Sequence, residues 1–140
     1  GEWEFDFSIF THENDEIHGL VPQVAKEYIT PIYVYNKIPY NAMRMNSADF
    51  TTPVVYSLFK KDITGSVLST VKKSEKDISI LVRLYNPNID KEISDKIDIE
   101  LNNSGLFETN LNEEKLLNIN ENEKIFKSCE VKTIGFNLVK

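Results

Sequence analysis

Apolar and polar residues alternate along several short stretches of the 140-residue chain, which is the pattern of half-buried β-strands. The clearest of these stretches are EWEFDFSIF (2–10), VLSTVK (67–72), KIDIEL (96–101) and KTIGFNL (132–138). Turn-forming sequences such as NPN, NNSG and NINENE lie between them. Short strands at such regular intervals predict a mostly β fold, an antiparallel β-sandwich.

The alternation also predicts which side chains face the core. In the first stretch the aromatic positions share one face, and in KIDIEL three aliphatic positions do, so both sets are expected to point inward. These residues are Trp3, Phe5, Phe7, Ile97, Ile99 and Leu101.

One segment has helical rather than strand periodicity. In NDEIHGLVPQVAKEYI (14–29) the apolar residues recur every three or four positions, and Asn14 is a candidate N-cap. Pro22 cannot donate a hydrogen bond inside a helix, so either two short turns meet there or the main helix begins at Pro22. The predicted sandwich therefore includes one short helical segment.

The most strand-like stretch, DISILVRLYNPN (77–88), contains an arginine in its middle. Ile80, Val82 and Leu84 alternate onto one face, whereas Arg83 shares the other face with Leu81. A guanidinium buried without a partner would be very costly, so Arg83 needs a specific environment.

Charge and composition exclude several classes of function. The chain has 16 basic and 22 acidic residues, a formal net charge of −6, and no basic patch, which argues against nucleic-acid and anionic-membrane partners. No apolar run approaches the roughly 20 residues that span a bilayer. The single cysteine, Cys129, excludes an internal disulfide framework and is expected to be an inert, partly buried thiol. It fits a reducing compartment, and we expect the cytoplasm, or a chain that needs no disulfides.

Candidate chemistry in the sequence is sparse. The two histidines, His12 and His18, are six residues apart, a spacing that matches no common metal-ligand pattern. Tyr33 and Tyr35 share one face of a predicted extended segment and are candidate carbohydrate contacts, although the pattern favours tyrosines that cover a core or a domain interface.

Three segments in order resemble glycoside hydrolase family 38, the α-mannosidases. The sequence SVLSTVKKSEKDISILVRLYNPN (66–88) is similar to a segment of the family's C-terminal part, with matching residues Lys72, Glu75, Arg83, Leu84, Tyr85, Asn86 and Pro87. Residues 1–36 are similar to a family strand, helix and return segment through Phe5, Phe7, His12, Ala25, Tyr28 and Pro31. The closing stretch EVKTIGFNL resembles the family's last strand through Lys132, Thr133 and Ile134.

The resemblance implies that residues 1–140 form a single C-terminal accessory β-sandwich domain, a fragment of a larger glycosidase. Family members are retaining enzymes whose catalytic carboxylates and zinc ligands belong to an N-terminal catalytic domain, and no segment here matches that domain. The implied parent is thus a zinc-dependent α-mannosidase, while this chain is expected to hold no catalytic residue and no cofactor of its own.

The expected role is to pack on the catalytic domain of the same enzyme and to shape one wall of the substrate cleft. Mannose-containing glycans would bind through the parent, which could be a homodimer. Arg83 and Asn86 are expected to be structural or interfacial residues, with Glu75 and Glu100 as candidate partners of Arg83; contact of Arg83 with substrate is the alternative. Two other functions remain open: a free-standing carbohydrate-binding module and a structural or adhesion sandwich.

Overall fold

A computed structural model describes residues 1–33, 55–60, 63–119 and 123–139. These residues form one helix and seven strands. In chain order the elements are α1 (Val21–Ile29), β1 (Val67–Lys73), β2 (Ser79–Tyr85), β3 (Ile93–Lys96), β4 (Asn103–Thr109), β5 (Lys115–Ile119), β6 (Glu123–Phe126) and β7 (Val131–Leu138).

Antiparallel pairing joins the strands into two layers. Five strands form one sheet in the order β1-β2-β7-β4-β5, and β3 pairs with β6 in a second, smaller sheet. At the centre of the large sheet, Val82 on β2 lies opposite Ile134 on β7, and Arg83 lies opposite Thr133. Mostly antiparallel strands with a single short helix in the described residues confirm the predicted fold class.

The core lies between the two layers and is built from the alternation that the sequence shows. One face of the large sheet and the facing residues of the second layer contribute the fully buried apolar side chains Val82, Leu84, Ile97, Ile99, Phe126, Ile134 and Phe136. Each such side chain contributes roughly 1.5–3 kcal/mol when it leaves water. The inward face of β2 is therefore a main source of the sandwich's stability.

Strands β1, β2 and β7 lie where the alternation predicts them, but the prediction of a strand over KIDIEL is wrong. Ile97 and Ile99 are buried as expected, yet this stretch is irregular apart from one isolated bridge between Ile99 and Phe59. Leu101 is 37% exposed. The paired strand lies just before it, at β3, where Asp95 is buried and accepts hydrogen bonds from the backbone of residues 64–66.

The prediction of a core-facing strand over residues 2–10 is also wrong. These residues form no strand, and Trp3, Phe5 and Phe7 are 84%, 82% and 85% exposed. The alternation is real, but no strand in the described part of the chain pairs with it. Periodicity reports what a segment could bury, and burial requires a partner.

The helix lies within the predicted segment, and α1 begins at Val21 with Pro22 in its first turn, where a missing donor costs nothing. Asn14 is not its N-cap, because the residue before the helix is Leu20, in the left-handed region at φ 57°. The polar capping occurs one turn earlier, where Asp15 Oδ1 accepts hydrogen bonds from the backbone of His18 and of residue 17. No helix in the described residues is long and apolar enough to cross a membrane.

The outer face of the large sheet contains one buried aromatic ring. Phe107 on β4 is only 1% exposed and lies across Gly135 on β7, so that a Cβ at residue 135 would come within 2.1 Å of the ring. The ammonium group of Lys115 covers the ring, 4.3 Å from its centroid, and binds Asp77 at 3.0 Å. Gly135 is therefore required for the close approach of the ring to the backbone.

We predict that Gly135→Ala destabilises the domain by about 1–3 kcal/mol, the usual cost of forcing extra volume into a packed site. Gly65→Ala is the matched control, because its added methyl group would meet its nearest neighbours at an ordinary 3.5 Å. Chemical denaturation of both variants measures the difference. Equal midpoints for the two variants would show that Phe107 can move aside.

Candidate functional site

Arg83 lies on the outer face of the large sheet and is half-buried. Its Nε donates a hydrogen bond of 3.1 Å to Thr133 Oγ1 on the neighbouring strand β7. Together with Lys72, Leu81 and residues of the β4–β5 loop, it lines a cavity of about 30 Å³, which is large enough for a water molecule. The strand register brings Arg83 and Thr133 together, because these two residues are directly opposite.

The carboxylate partner expected for Arg83 is not found among the described residues, and that prediction is wrong. Glu75 accepts a hydrogen bond from Lys72 instead, and Glu100 is exposed. A half-exposed guanidinium keeps part of its hydration, so a neutral hydroxyl on a neighbouring strand is sufficient. Whether Arg83 is a structural or an interface residue in the parent enzyme stays a prediction.

The β4–β5 loop, residues 110–114, reaches the β1–β2 turn through one carboxylate. Asn110 Oδ1 accepts hydrogen bonds from the backbone of Asn112 and Glu114 and so closes the loop. Glu113, at φ 62°, lines the small cavity together with Arg83, and its carboxylate contacts the β1–β2 turn. The sequence showed no sign of this contact, because Glu113 is one of many acidic residues in a polar loop.

Glu113 is the most strongly perturbed ionisable group that the structure shows. Its Oε1 lies 2.6 Å from Lys72 Nζ, and its Oε2 accepts hydrogen bonds from the backbone of Glu75 at 2.8 Å and from Ser74 Oγ at 3.0 Å. The hydrogen bond from Lys72, followed by those from Glu75 and Ser74, lowers the pKa of Glu113 to about 2. The carboxylate is therefore ionised at neutral pH and fixes the loop to the turn.

Asn86 connects three chain segments at the end of β2. Its side chain is 1% exposed, and its Nδ2 group donates hydrogen bonds to the carbonyl oxygens of Lys91 and Lys127 at 2.7 and 2.9 Å. Its Oδ1 accepts from the backbone and side chain of Asn88. A side-chain amide provides both the donors and the acceptor that this arrangement uses, so Asn86 links the three segments. Whether it also lies at an interface in the parent enzyme stays a prediction.

Of the two tyrosines proposed as carbohydrate or interface contacts, the structure describes one. Tyr33 is 87% exposed, next to Ile32 at 92%. Tyr35 lies outside the described residues, so their placement on a common face stays a prediction. The surrounding surface is apolar and follows directly from α1, whose last residue Ile29 is 69% exposed.

An open groove of about 620 Å³ separates α1 from β1, and the sequence analysis missed it. Its walls include Gln23 on the helix and Ser66 just before the strand. Ser66 is 1% exposed, yet neither its Oγ nor the buried Oε1 of Gln23 has a hydrogen-bond partner in the described part of the chain. Buried polar atoms normally have partners, and Asp77 Oδ1, just before β2, is a third buried atom without one among the described residues.

The histidines have local partners. His18 Nδ1 lies 2.7 Å from Asp15 Oδ2, and hydrogen bonds from His18 lower the pKa of Asp15. His12 packs against Gly19 and stacks on Phe10 at 6.1 Å between ring centroids. Within the described ranges, no three histidine, cysteine or acidic side chains are grouped as metal ligands would be.

Cys129 is exposed rather than partly buried. It lies in the β6–β7 turn with a φ of 54°, and its backbone N–H donates to the carbonyl oxygen of Asn88. The expectation of a partly buried thiol is therefore wrong, because the turn conformation directs this residue away from the core.

A comparison with known protein families supports the resemblance seen in the sequence. The sequence model of one family, the glycosyl hydrolases family 38 C-terminal beta sandwich domain, matches residues 65–134, half of the chain. The match runs from just before β1 to the middle of β7 and includes Arg83, Asn86 and Glu113. Neither a curated protein nor a solved structure matches the chain.

We predict that Arg83→Met lowers the free energy of unfolding by about 0.5–1.5 kcal/mol, the net worth of one hydrogen bond. Removal of the partner of a buried carboxylate would instead cost about 3–5 kcal/mol. Thr133→Val and the double variant complete a double-mutant cycle measured by chemical denaturation, with a positive coupling expected between the two sites. A loss above 3 kcal/mol would contradict the assignment of Thr133 as the partner.

We predict that Glu113→Gln destabilises the domain at pH 7 and that this effect disappears in acid. The folded-state pKa of about 2 lies below the ordinary value of 4.5, so the stabilisation is complete above pH 4.5 and is lost as the pH falls towards 2. Denaturation midpoints measured from pH 7 to pH 2 test this. Glu92→Gln, which removes the same charge from an exposed position, is the matched control. A Glu113→Gln effect that is the same at pH 7 and at pH 2 would contradict the prediction.

Proposed function

Because the chain belongs to the family of glycosyl hydrolase family 38 C-terminal β-sandwich domains, we propose that it is the non-catalytic C-terminal domain of an α-mannosidase. In this proposal another domain of the parent enzyme hydrolyses terminal α-mannosides, and this domain packs on that catalytic domain and shapes one wall of the substrate cleft. Mannose-containing glycans then reach the domain only through the parent.

The observation that carries the proposal is the incomplete surface on the α1 side of the molecule. Large apolar side chains there are exposed, among them Ile29 at 69% and Ile32 at 92%. The adjacent groove holds the two buried polar atoms of Gln23 and Ser66 without partners. Contiguous exposed apolar surface marks interaction sites. Packing against another domain would cover the apolar side chains and supply hydrogen-bond partners for the two buried polar atoms.

The arrangement of ionisable groups supports a non-catalytic role. The most perturbed carboxylate, Glu113, is held by Lys72 and the β1–β2 turn and has a structural task. His18 is bonded to Asp15. The zinc ion and catalytic carboxylates implied by the family are accordingly assigned to the catalytic domain of the parent enzyme.

A free-standing carbohydrate-binding module is the second candidate, and the exposure of Tyr33 favours it. A tyrosine ring that is 87% exposed can stack on a sugar ring. This function predicts that the isolated chain binds mannose-containing oligosaccharides and that Tyr33→Ala abolishes binding. The accessory-domain function predicts no binding by the isolated chain in the same titration.

We predict that the double substitution Ile29→Glu and Ile32→Glu lowers the thermal stability and the α-mannosidase activity of the parent enzyme. In the isolated chain the same change should shift stability by less than about 0.5 kcal/mol, because both positions are exposed there. Leu117→Glu is the control, since Leu117 is 55% exposed on β5, at the opposite edge of the sheet from β1.

The isolated chain itself is expected to release no product from an aryl α-mannoside. A parent enzyme that tolerates the double substitution as well as it tolerates Leu117→Glu would argue against packing through the α1 side. Turnover by the isolated chain, purified free of contaminating enzyme, would contradict the non-catalytic role.

A further inference from the structure

Residues 2–9 have the side-chain pattern of a strand but no strand partner. Trp3, Phe5, Phe7 and Ile9 alternate with polar residues, and each of the four is more than 80% exposed. The structure shows no backbone hydrogen bond from this segment to another main-chain group in the described part of the chain. Four large apolar side chains on one face remain in water, so the segment forgoes the favourable free energy that their burial would contribute.

The segment is positioned by α1. Tyr28 donates its hydroxyl to the carbonyl oxygen of Phe7 at 3.3 Å, and His12 packs against Gly19 in the turn before the helix. Tyr28 is about 200° around the helix from Lys26, which lines the groove beside β1. The segment therefore contacts α1 through Tyr28, which is not among the residues that line the groove beside β1.

The polar face of the segment constrains the partner. Its charged residues, Glu2, Glu4 and Asp6, are all acidic. Two copies of the segment in antiparallel pairing would bring like charges together, and the chain as a whole carries a net charge of −6, so a second copy is a poor acceptor. An acceptor edge with lysine or arginine side chains and an apolar face fits the segment.

We propose that residues 2–9 add as a β-strand to the edge of a sheet in another domain of the parent enzyme. The aromatic face would be buried in that domain, and the backbone would pair along the edge. The proposal rests on the proposed function, because it specifies how the domain attaches to the rest of the enzyme. Strand addition combines directional main-chain hydrogen bonds with pockets in the acceptor for alternate side chains. The alternating apolar residues of this segment are side chains of that kind.

Hydrogen exchange of the backbone amides tests the proposal in the intact parent enzyme and in the isolated chain. In the isolated chain the amides of residues 2–9 should exchange without protection. In the parent enzyme alternate amides should exchange at least about tenfold more slowly, because one-sided pairing engages every second residue. Burial of side chains without pairing would give no such alternation and would overturn the proposal.

Paired substitutions separate the apolar face from the polar face. Phe5→Ser with Phe7→Ser should remove the protection in the parent enzyme while the isolated chain keeps its denaturation midpoint. Glu4→Gln with Ser8→Ala changes the polar face instead and should leave most of the amide protection in the parent enzyme. Equal effects of the two pairs would contradict burial of the aromatic face.

The two proposals can fail separately. If the Ile29 and Ile32 substitutions weaken the parent enzyme but residues 2–9 exchange equally fast in both proteins, strand addition is wrong and the accessory-domain role stands. If those substitutions have no effect but residues 2–9 are protected in the parent enzyme, packing through the α1 side is wrong and strand addition stands. Protection of residues 2–9 in the isolated chain, together with a dimer in sedimentation, would identify a second copy as the acceptor and overturn the proposal.

Discussion

The antiparallel pairing of β2 with β7 is the interaction on which the rest of the structure depends. Seven residue pairs in unbroken register place Val82 and Ile134 on the inner face and Arg83 and Thr133 on the outer face. A shift of one residue would exchange the two faces and put the guanidinium into the core, which is why the burial of the inner face fixes the register so strongly. The other three strands of the large sheet extend from this pair.

The outer face of the same pair shows how a sheet surface is covered without a second apolar layer. Phe107 packs on Gly135, Lys115 covers the ring, and Glu113 holds the β4–β5 loop against the β1–β2 turn. The covering groups are charged, but each has an opposite charge or a backbone donor beside it. These polar contacts cover the face, although Asp77 Oδ1 is buried there without a hydrogen-bond partner in the described part of the chain. On the α1 side, large apolar side chains are exposed and two buried polar atoms lack partners among the described residues.

Sequence periodicity predicted the fold where a strand is long and one-sided, as in β2 and β7. It failed at β4, where the sequence NNSG indicated a turn but Asn103 begins a strand, because Gly105 lies in an irregular part of the pairing with β7. It predicted the burial of Ile97 and Ile99 but not their irregular backbone. Contacts between segments distant in sequence, such as Glu113 in a loop with Lys72 on β1, leave no local signal, since they depend on tertiary placement.

The failures of the sequence analysis differ in physical meaning. At Arg83 the expected carboxylate was replaced by a hydroxyl, because partial exposure reduced the need for a countercharge. At residues 2–10 the pattern itself is strand-like, and only the partner is missing from the described chain. A mismatch of the second kind, between a local pattern and its surroundings, is expected at functional sites. The described sandwich is complete without this segment, whose aromatic face is left in water. In the proposed strand addition, the attachment of the domain would therefore be encoded separately from its stability.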